Sequence, residues 1–149
     1  MKKIYLILII TLFLTGCFNN LTDSDIPKGY TEKEEYYDKN GVQDYTDYAM
    51  YTYKTKDIIE SNKDYNKVTT DDINNITEYF DDFKSVMESK DRLKEYDFDV
   101  TKITEGDFFR IKTKEGESIG NSKYQKFDNY TLYFFDTETL TLYYIHNNI

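Results

Sequence analysis

The stretch that decides the fold is YTLYFFDTETLTLYYIH, residues 130–146. Two runs rich in aromatic and β-branched residues flank the polar tetrapeptide DTET, which is typical of two strands joined by a tight turn. The sequence therefore predicts an antiparallel hairpin with strands at 130–135 and 140–146. Because successive side chains of a strand point to opposite faces of a sheet, both faces of this hairpin are aromatic.

The second aromatic face of the hairpin has two interpretations. One face packs against a helix, and the other is either covered by another segment, for which residues 44–60 are available, or exposed as a binding surface. An exposed tyrosine surface suits a protein partner or a glycan, although the chain has no Trp, which weakens the glycan interpretation. The binding-surface hypothesis rests on four tyrosines: Tyr130, Tyr133, Tyr143 and Tyr144.

An amphipathic helix is predicted upstream of the hairpin, at about 71–95. Threonines at 69 and 70 suit its N-cap, and Asp71 and Asp72 suit its positive end. One apolar face follows from spacings of three and four residues along Ile73, Ile76, Phe80, Phe83 and Met87. We expect this face to cover the chain's own sheet, because two heptads are short for a partner helix.

The other segments complete an α+β prediction. Large apolar or β-branched residues alternate with charged residues at 98–100 and 109–113, which indicates two further strands. About four antiparallel strands are therefore predicted to follow the helix in chain order. Residues 44–54 fit both helical and strand spacing, and we assign them to a short helix. The polar segment 17–43 shows no apolar period and is predicted to be a disordered tether, which leaves residues 44–149 as a single small α+β domain.

The amino end has the pattern of an export signal. Lys2 and Lys3 precede the apolar run IYLILIITLF at 4–13, and LTGC follows at 14–17. A basic start, an apolar core of this length and a small-residue exit are typical of a secretory signal peptide. The alternative, a retained membrane helix, is disfavoured because about 20 apolar residues are needed to span a bilayer.

Leu14-Thr15-Gly16-Cys17 resembles the lipobox of bacterial lipoproteins. The resemblance implies that the Cys17 thiol receives a diacylglyceryl group as a thioether, and that a signal peptidase cuts between Gly16 and Cys17. Cys17 is the only cysteine of the chain, so no internal disulfide competes for it. Two acyl chains give stable anchoring, and the expected location is the cell membrane, facing outside the cytoplasm.

Two further stretches, GVQDYTDYA at 41–49 and YFFDTETLTLYYIHNNI at 133–149, carry a second resemblance. They resemble lipoproteins of low-GC Gram-positive bacteria that have no assigned activity. The resemblance covers much of the domain and implies no site residues.

The charge balance excludes one class of partner. Removal of residues 1–16, which contain two lysines and no acid, changes the net charge from −9 to −11. A chain this acidic, without a basic patch, is not expected to bind nucleic acid or anionic lipid by long-range attraction.

The inventory of reactive side chains is small. His146 is the only histidine and Cys17 is assigned to the lipid, so no catalytic residues and no cofactor are predicted. The remaining chemistry lies in carboxylates that could gather around a 98–100 strand and the following turn, as weak calcium ligands or as a hydrolase pair: Asp97, Asp99, Glu105 and Asp107.

The sequence therefore predicts a lipid-anchored extracytoplasmic protein whose domain is a non-catalytic binding or interaction module. An envelope protein or a glycan is the expected partner. Two alternatives stay open: an envelope-protective or immunity lipoprotein, and a carboxylate-dependent hydrolase or weak calcium-binding domain.

Overall fold

The computed structural model describes residues 25–38, 44–114, 118–119, 122–123 and 126–149. In chain order, the helices are α1 (Asp57–Glu60) and α2 (Thr70–Ser89). The strands are β1 (Glu32–Tyr36), β2 (Tyr45–Thr52), β3 (Asn66–Lys67), β4 (Phe108–Thr113), β5 (Ser118–Ile119), β6 (Ser122–Lys123), β7 (Asn129–Asp136) and β8 (Thr141–Asn148). Six strands form one sheet in the order β1-β2-β8-β7-β4-β3, and β5 pairs with β6.

The predicted hairpin is confirmed as β7 and β8. These strands are antiparallel and in register from the pair Asn129 and Asn148 to the pair Asp136 and Thr141. The turn is closed by the Asp136 carboxylate, which accepts hydrogen bonds from the backbone N–H groups of Glu138 and Thr139. A side chain that replaces backbone acceptors in this way is a common reason for aspartate at the start of a turn.

The predicted amphipathic helix is confirmed as α2, which is shorter than expected. The Asp72 carboxylate accepts hydrogen bonds from both the backbone N–H and the hydroxyl of Thr69, which fixes the N-terminus. The helix ends at Ser89 rather than near residue 95, because Asp91 takes a left-handed conformation with φ of 55°. No helix in the described part of the chain is long and apolar enough to cross a bilayer.

One face of the sheet packs against α2 and forms the helix-side core. Ile76, Phe80 and Phe83 of the helix are fully buried there against sheet residues that include Phe134 and Tyr143. The Phe98 ring stacks on the Phe80 ring with centroids 3.9 Å apart. This core contains the apolar stripe that defined the helix in the sequence.

The opposite face of the sheet is also covered, and we call the packed layer the outer-face core. Its sheet residues include Tyr51, Tyr133, Phe135 and Tyr144, and all are buried. The cover comes from Ile26, Tyr53, Ile59 and Tyr65, in residues 25–30 and 53–65. Residues 44–60 were the expected cover, but only their C-terminal part has this role.

Three segments differ from the sequence predictions. Residues 45–52 form β2 rather than a helix. The strand lies between β1 and β8 and is buried on both faces, so its apolar residues fit helical spacing as well as strand spacing. Residues 98–100 form no strand; Asp99 instead accepts from the backbone N–H of Thr101 and caps a 3-10 turn at Val100–Lys102.

The third difference lies within the predicted tether. Residues 32–36 form β1 at the edge of the sheet, paired with β2, and residues 25–30 contribute to the cover. The predicted signal peptide at 1–16 and Cys17 lie outside the described residues.

Candidate binding cleft

A polar cleft of about 650 Å³ opens where the edge strand β1 meets the C-terminal end of α2. This volume falls in the range of small-ligand sites in proteins. Of the described residues, seven line the cleft, and they carry two cations, three carboxylates and two phenols: Glu35, Tyr36, Tyr37, Asp38, Lys90, Arg92 and Glu95.

The end of α2 positions the two cations. The Asp91 N–H donates to the Glu88 carbonyl and the Arg92 N–H donates to the Met87 carbonyl, which is the Schellman arrangement of a helix C-terminus. The left-handed Asp91 reverses the chain there, so that Lys90 and Arg92 both face β1.

Arg92 joins three segments of the chain. Its guanidinium donates to the Thr46 carbonyl at 2.9 Å and to the Tyr36 carbonyl at 3.4 Å. Its Nε donates to the Glu95 carboxylate at 2.7 Å. Planar guanidinium groups can satisfy several acceptors at once, so Arg92 holds β1, β2 and the turn after α2 in one arrangement.

Lys90 is the more accessible cation. Its ammonium lies 3.1 Å from the Asp38 carboxylate, and its side chain keeps 29% of its surface exposed, about twice the 15% of Arg92. Arg92 is therefore the structural cation of the cleft, and Lys90 is the one that can exchange its partner for a ligand.

The β1 side of the cleft supplies carboxylates and a phenol. Burial opposes the charged form of Glu35, but hydrogen bonds from Lys33 and Tyr51 outweigh it and lower the pKa of that carboxyl. Burial raises the pKa of the Tyr37 phenol to about 12. At neutral pH the cleft therefore presents an ionised Glu35 beside a protonated hydroxyl.

Below the cleft lies a buried carboxyl. Asp47 of β2 is almost fully buried, and its Oδ1 accepts the Asp38 N–H at 3.0 Å. Burial raises its pKa, against the lowering effect of that hydrogen bond and of Arg92. Asp47 thus fixes residue 38 at the rim of the cleft.

The four tyrosines predicted as a binding surface are buried. Tyr130 and Tyr143 lie in the helix-side core, and Tyr133 and Tyr144 lie in the outer-face core. Tyr130 donates to the Tyr79 carbonyl at 3.2 Å and to the Asp82 carboxylate at 3.0 Å. These rings therefore pack in the two cores, which agrees with the interpretation that another segment covers the second face of the hairpin.

The four predicted carboxylates do not converge. Asp97 accepts from the Tyr48 hydroxyl at 2.7 Å, Asp99 caps its own turn, and Glu105 bonds the Thr70 hydroxyl. Asp107 is buried and bonded to Thr104 and Thr137. Asp97 and Asp99 are exposed and lie outside the cleft, and no three potential metal ligands of the described residues cluster.

Sequence reasoning missed the cleft entirely. Its two walls are more than 50 residues apart in the chain, at Glu35 and Lys90, so no local spacing links them. The one available signal was the charged triplet Lys90-Asp91-Arg92, three residues after Met87, the last member of the apolar stripe. It indicates a helix end with basic residues near the terminal carbonyls.

Comparison of the chain with protein-family models, with curated proteins and with solved structures gave no match.

Proposed function

We propose that the protein is a lipid-anchored extracytoplasmic binding module, held to the membrane by Cys17 and non-catalytic. The anchor is supported by the sequence Leu14-Thr15-Gly16-Cys17 directly after the apolar run 4–13. The observation that carries the binding role is the polar cleft between β1 and α2.

The lining of the cleft favours a ligand that carries both charges. Lys90 offers an exchangeable cation. Glu35 and Glu95 place carboxylates on the two walls, where each already accepts hydrogen bonds from within the protein. Three carboxylates in the cleft would repel a polyanion, and Lys90 and Arg92 would repel a simple cation. A peptide segment with a positive and a negative side chain fits both sets, and charge complementarity of this kind mainly provides specificity.

The cleft assignment is tested by titration with short peptides, followed by backbone amide NMR shifts. A blocked tripeptide Lys-Ala-Glu should shift the amides of residues 35–38 and 90–95, and a blocked Ala-Ala-Ala should not. Lys90→Gln should weaken the binding about tenfold, in line with the loss of one charge-assisted hydrogen bond.

The matched control for the cleft is Lys84→Gln, which changes an exposed lysine of α2 that does not line it. Equal effects of the two substitutions, or shifts spread over surfaces remote from the cleft, would rule out the cleft as the binding site.

The anchor is tested separately. Cys17→Ser should abolish incorporation of radioactive fatty acid such as palmitate and leave the precursor uncleaved, because a hydroxyl does not replace the thiol in thioether formation. Persistent labelling of the serine variant would show that Cys17 is not the lipidated residue.

A further inference from the structure

We propose that the outer-face cover docks on the anionic lipid surface and so orients the domain on the membrane. The docking patch, which we call the cover patch, consists of five exposed residues: Lys28, Tyr30, Lys54, Lys56 and Ile58. The inference rests on the proposed lipid anchor at Cys17.

The position at which the chain enters the domain is the first argument. Asp25 contacts Arg110 at 3.6 Å and also contacts Lys112. Ile26 packs on the outer-face core, and the Pro27 carbonyl accepts the Tyr53 hydroxyl at 2.6 Å. The polypeptide therefore enters the domain on the face opposite α2.

The short distance to the anchor is the second argument. Seven residues lie between Cys17 and Asp25, and the eight Cα–Cα steps that join the two reach at most about 28 Å when the chain is fully extended. A domain held this closely meets the bilayer at high effective concentration, so a patch of low intrinsic affinity is sufficient.

The composition of the cover patch is the third argument. Tyr30 and Ile58 are 36% and 37% exposed and are two of the four large hydrophobic residues that the described chain leaves exposed. They adjoin each other through Gly29, where an added Cβ would lie 2.7 Å from Ile58 Cδ1. Tyrosine and an aliphatic side chain flanked by lysines are typical of residues that settle at a lipid–water interface.

The distribution of charge on the two faces is the fourth argument. Helix α2 carries six acidic residues and one lysine. On the outer face, Lys28, Lys54, Lys56, Lys63, Arg110 and Lys112 outnumber Asp25, Asp57, Glu60 and Asp64, and β1 adds one charge of each sign there, Lys33 and Glu35. Although the whole chain is acidic, an anionic bilayer repels the α2 face and attracts the outer face.

The lipidated full-length protein, reconstituted in vesicles of phosphatidylcholine with phosphatidylglycerol, provides the test. Because lipid blocks Cys17, an added cysteine is the only site for a fluorescent label. Ser61→Cys lies three residues beyond Ile58 and leaves the cover patch intact. Glu78→Cys, on the exposed side of α2, is its matched control.

A nitroxide-bearing lipid should quench the label at 61 at least about twofold more than the label at 78. Lys54→Gln/Lys56→Gln should reduce this difference, and the control pair Lys84→Gln/Lys94→Gln should not. Omission of phosphatidylglycerol should reduce it as well.

Two results would overturn the inference while the anchor stands. Equal lipid quenching at 61 and 78, with the acyl group present by mass spectrometry, would mean that the domain has no preferred face. Protection of position 61 from a water-soluble quencher without access to the lipid quencher would mean that a second copy of the chain covers the patch. Absence of the acyl mass would remove the anchor and the inference together.

Discussion

The buried carboxylate of Asp107 shows how one residue joins two turns. Its Oδ2 accepts from the N–H and hydroxyl of Thr104, and its Oδ1 accepts from the N–H and hydroxyl of Thr137. All four contacts lie between 2.8 and 3.0 Å. A carboxylate has only acceptors, and each of its oxygens here faces a backbone N–H, which can only donate.

We therefore predict that Asp107→Asn lowers the free energy of unfolding by about 2–3 kcal/mol, because one end of an amide turns a donor toward donors. Urea denaturation at neutral pH measures the effect. Asp81→Asn, at an exposed position of α2, is the control and should stay within about 0.5 kcal/mol of the wild type. Equal stability of Asp107→Asn and wild type would contradict the role given to the carboxylate.

Asp47 and Asp99 should make opposite contributions to the pH dependence of stability. Burial raises the pKa of Asp47 above its ordinary value of 3.8, whereas the backbone N–H and hydroxyl of Thr101 lower the pKa of Asp99 below that value. The folded state therefore holds a proton on Asp47 more tightly than the unfolded state does, and holds one on Asp99 less tightly.

The signs follow for each variant. The stability of wild type relative to Asp47→Asn should fall as pH rises from 3.8 through the raised pKa. Wild type should be more stable than Asp99→Asn above pH 3.8, and this advantage should be lost as the pH falls through the lowered pKa of Asp99. Thermal unfolding of the three proteins across this range measures both differences, and slopes of the same sign would contradict the assignment.

At the scale of elements, Arg92 attaches the edge strand β1 to the rest of the molecule. Among the described strands, β1 pairs only with β2, and it has exposed residues over most of its length. Beyond the ladder, its C-terminal end is held by the hydrogen bond from Arg92 to the Tyr36 carbonyl and by the ion pair of Lys90 with Asp38.

We predict that Arg92→Ala destabilises the protein by about 2–3 kcal/mol, because it removes charge-assisted hydrogen bonds to Thr46 and Glu95. It should also open β1 preferentially. Amide hydrogen exchange should then accelerate more at residues 32–36 than in β7 and β8. Lys94→Ala, at an exposed lysine of the adjacent turn, should leave the exchange of β1 unchanged, and uniform acceleration through the sheet in Arg92→Ala would contradict a local role.

The elements differ in how well the sequence predicts them, and the reason is locality. The β7–β8 hairpin and α2 were predictable because turn residues and an apolar stripe lie within a few residues of each other. Strand β2 was not, because burial on both faces leaves an apolar pattern that fits helical spacing as well as strand spacing. The alternation at 98–100 was misleading, because Phe98 is buried through contact with Phe80 and Phe134 without joining the sheet.

The site was less predictable than the fold. The rings of Tyr130 and Tyr133 each pack in one of the two cores. Composition alone cannot distinguish such buried tyrosines from tyrosines on an exposed surface. The cleft depends on the pairing of β1 with β2, which has no signature in the local sequence. It also depends on the left-handed turn at Asp91, for which the charged residues 90–92 indicate only that a helix ends.

At the scale of the whole molecule, a single sheet supports two cores. Phe134 and Phe135 are adjacent in β7, and both are fully buried, one in the helix-side core and the other in the outer-face core. Because the strands are shared, loss of packing on one face removes the support for the other. The cover patch and the cleft should therefore be lost together when the domain unfolds.

We predict that Phe80→Leu and Phe135→Leu, one in each core, both lower the free energy of unfolding by about 1–2 kcal/mol. Each variant should still unfold in a single transition, since the cores share β7 and β8. Near-ultraviolet circular dichroism follows the packing of tyrosine rings, far-ultraviolet circular dichroism follows the backbone, and the two should give the same denaturant midpoint. Separate midpoints in Phe135→Leu would instead mean that the outer-face cover, with the cover patch it carries, opens independently of the sheet.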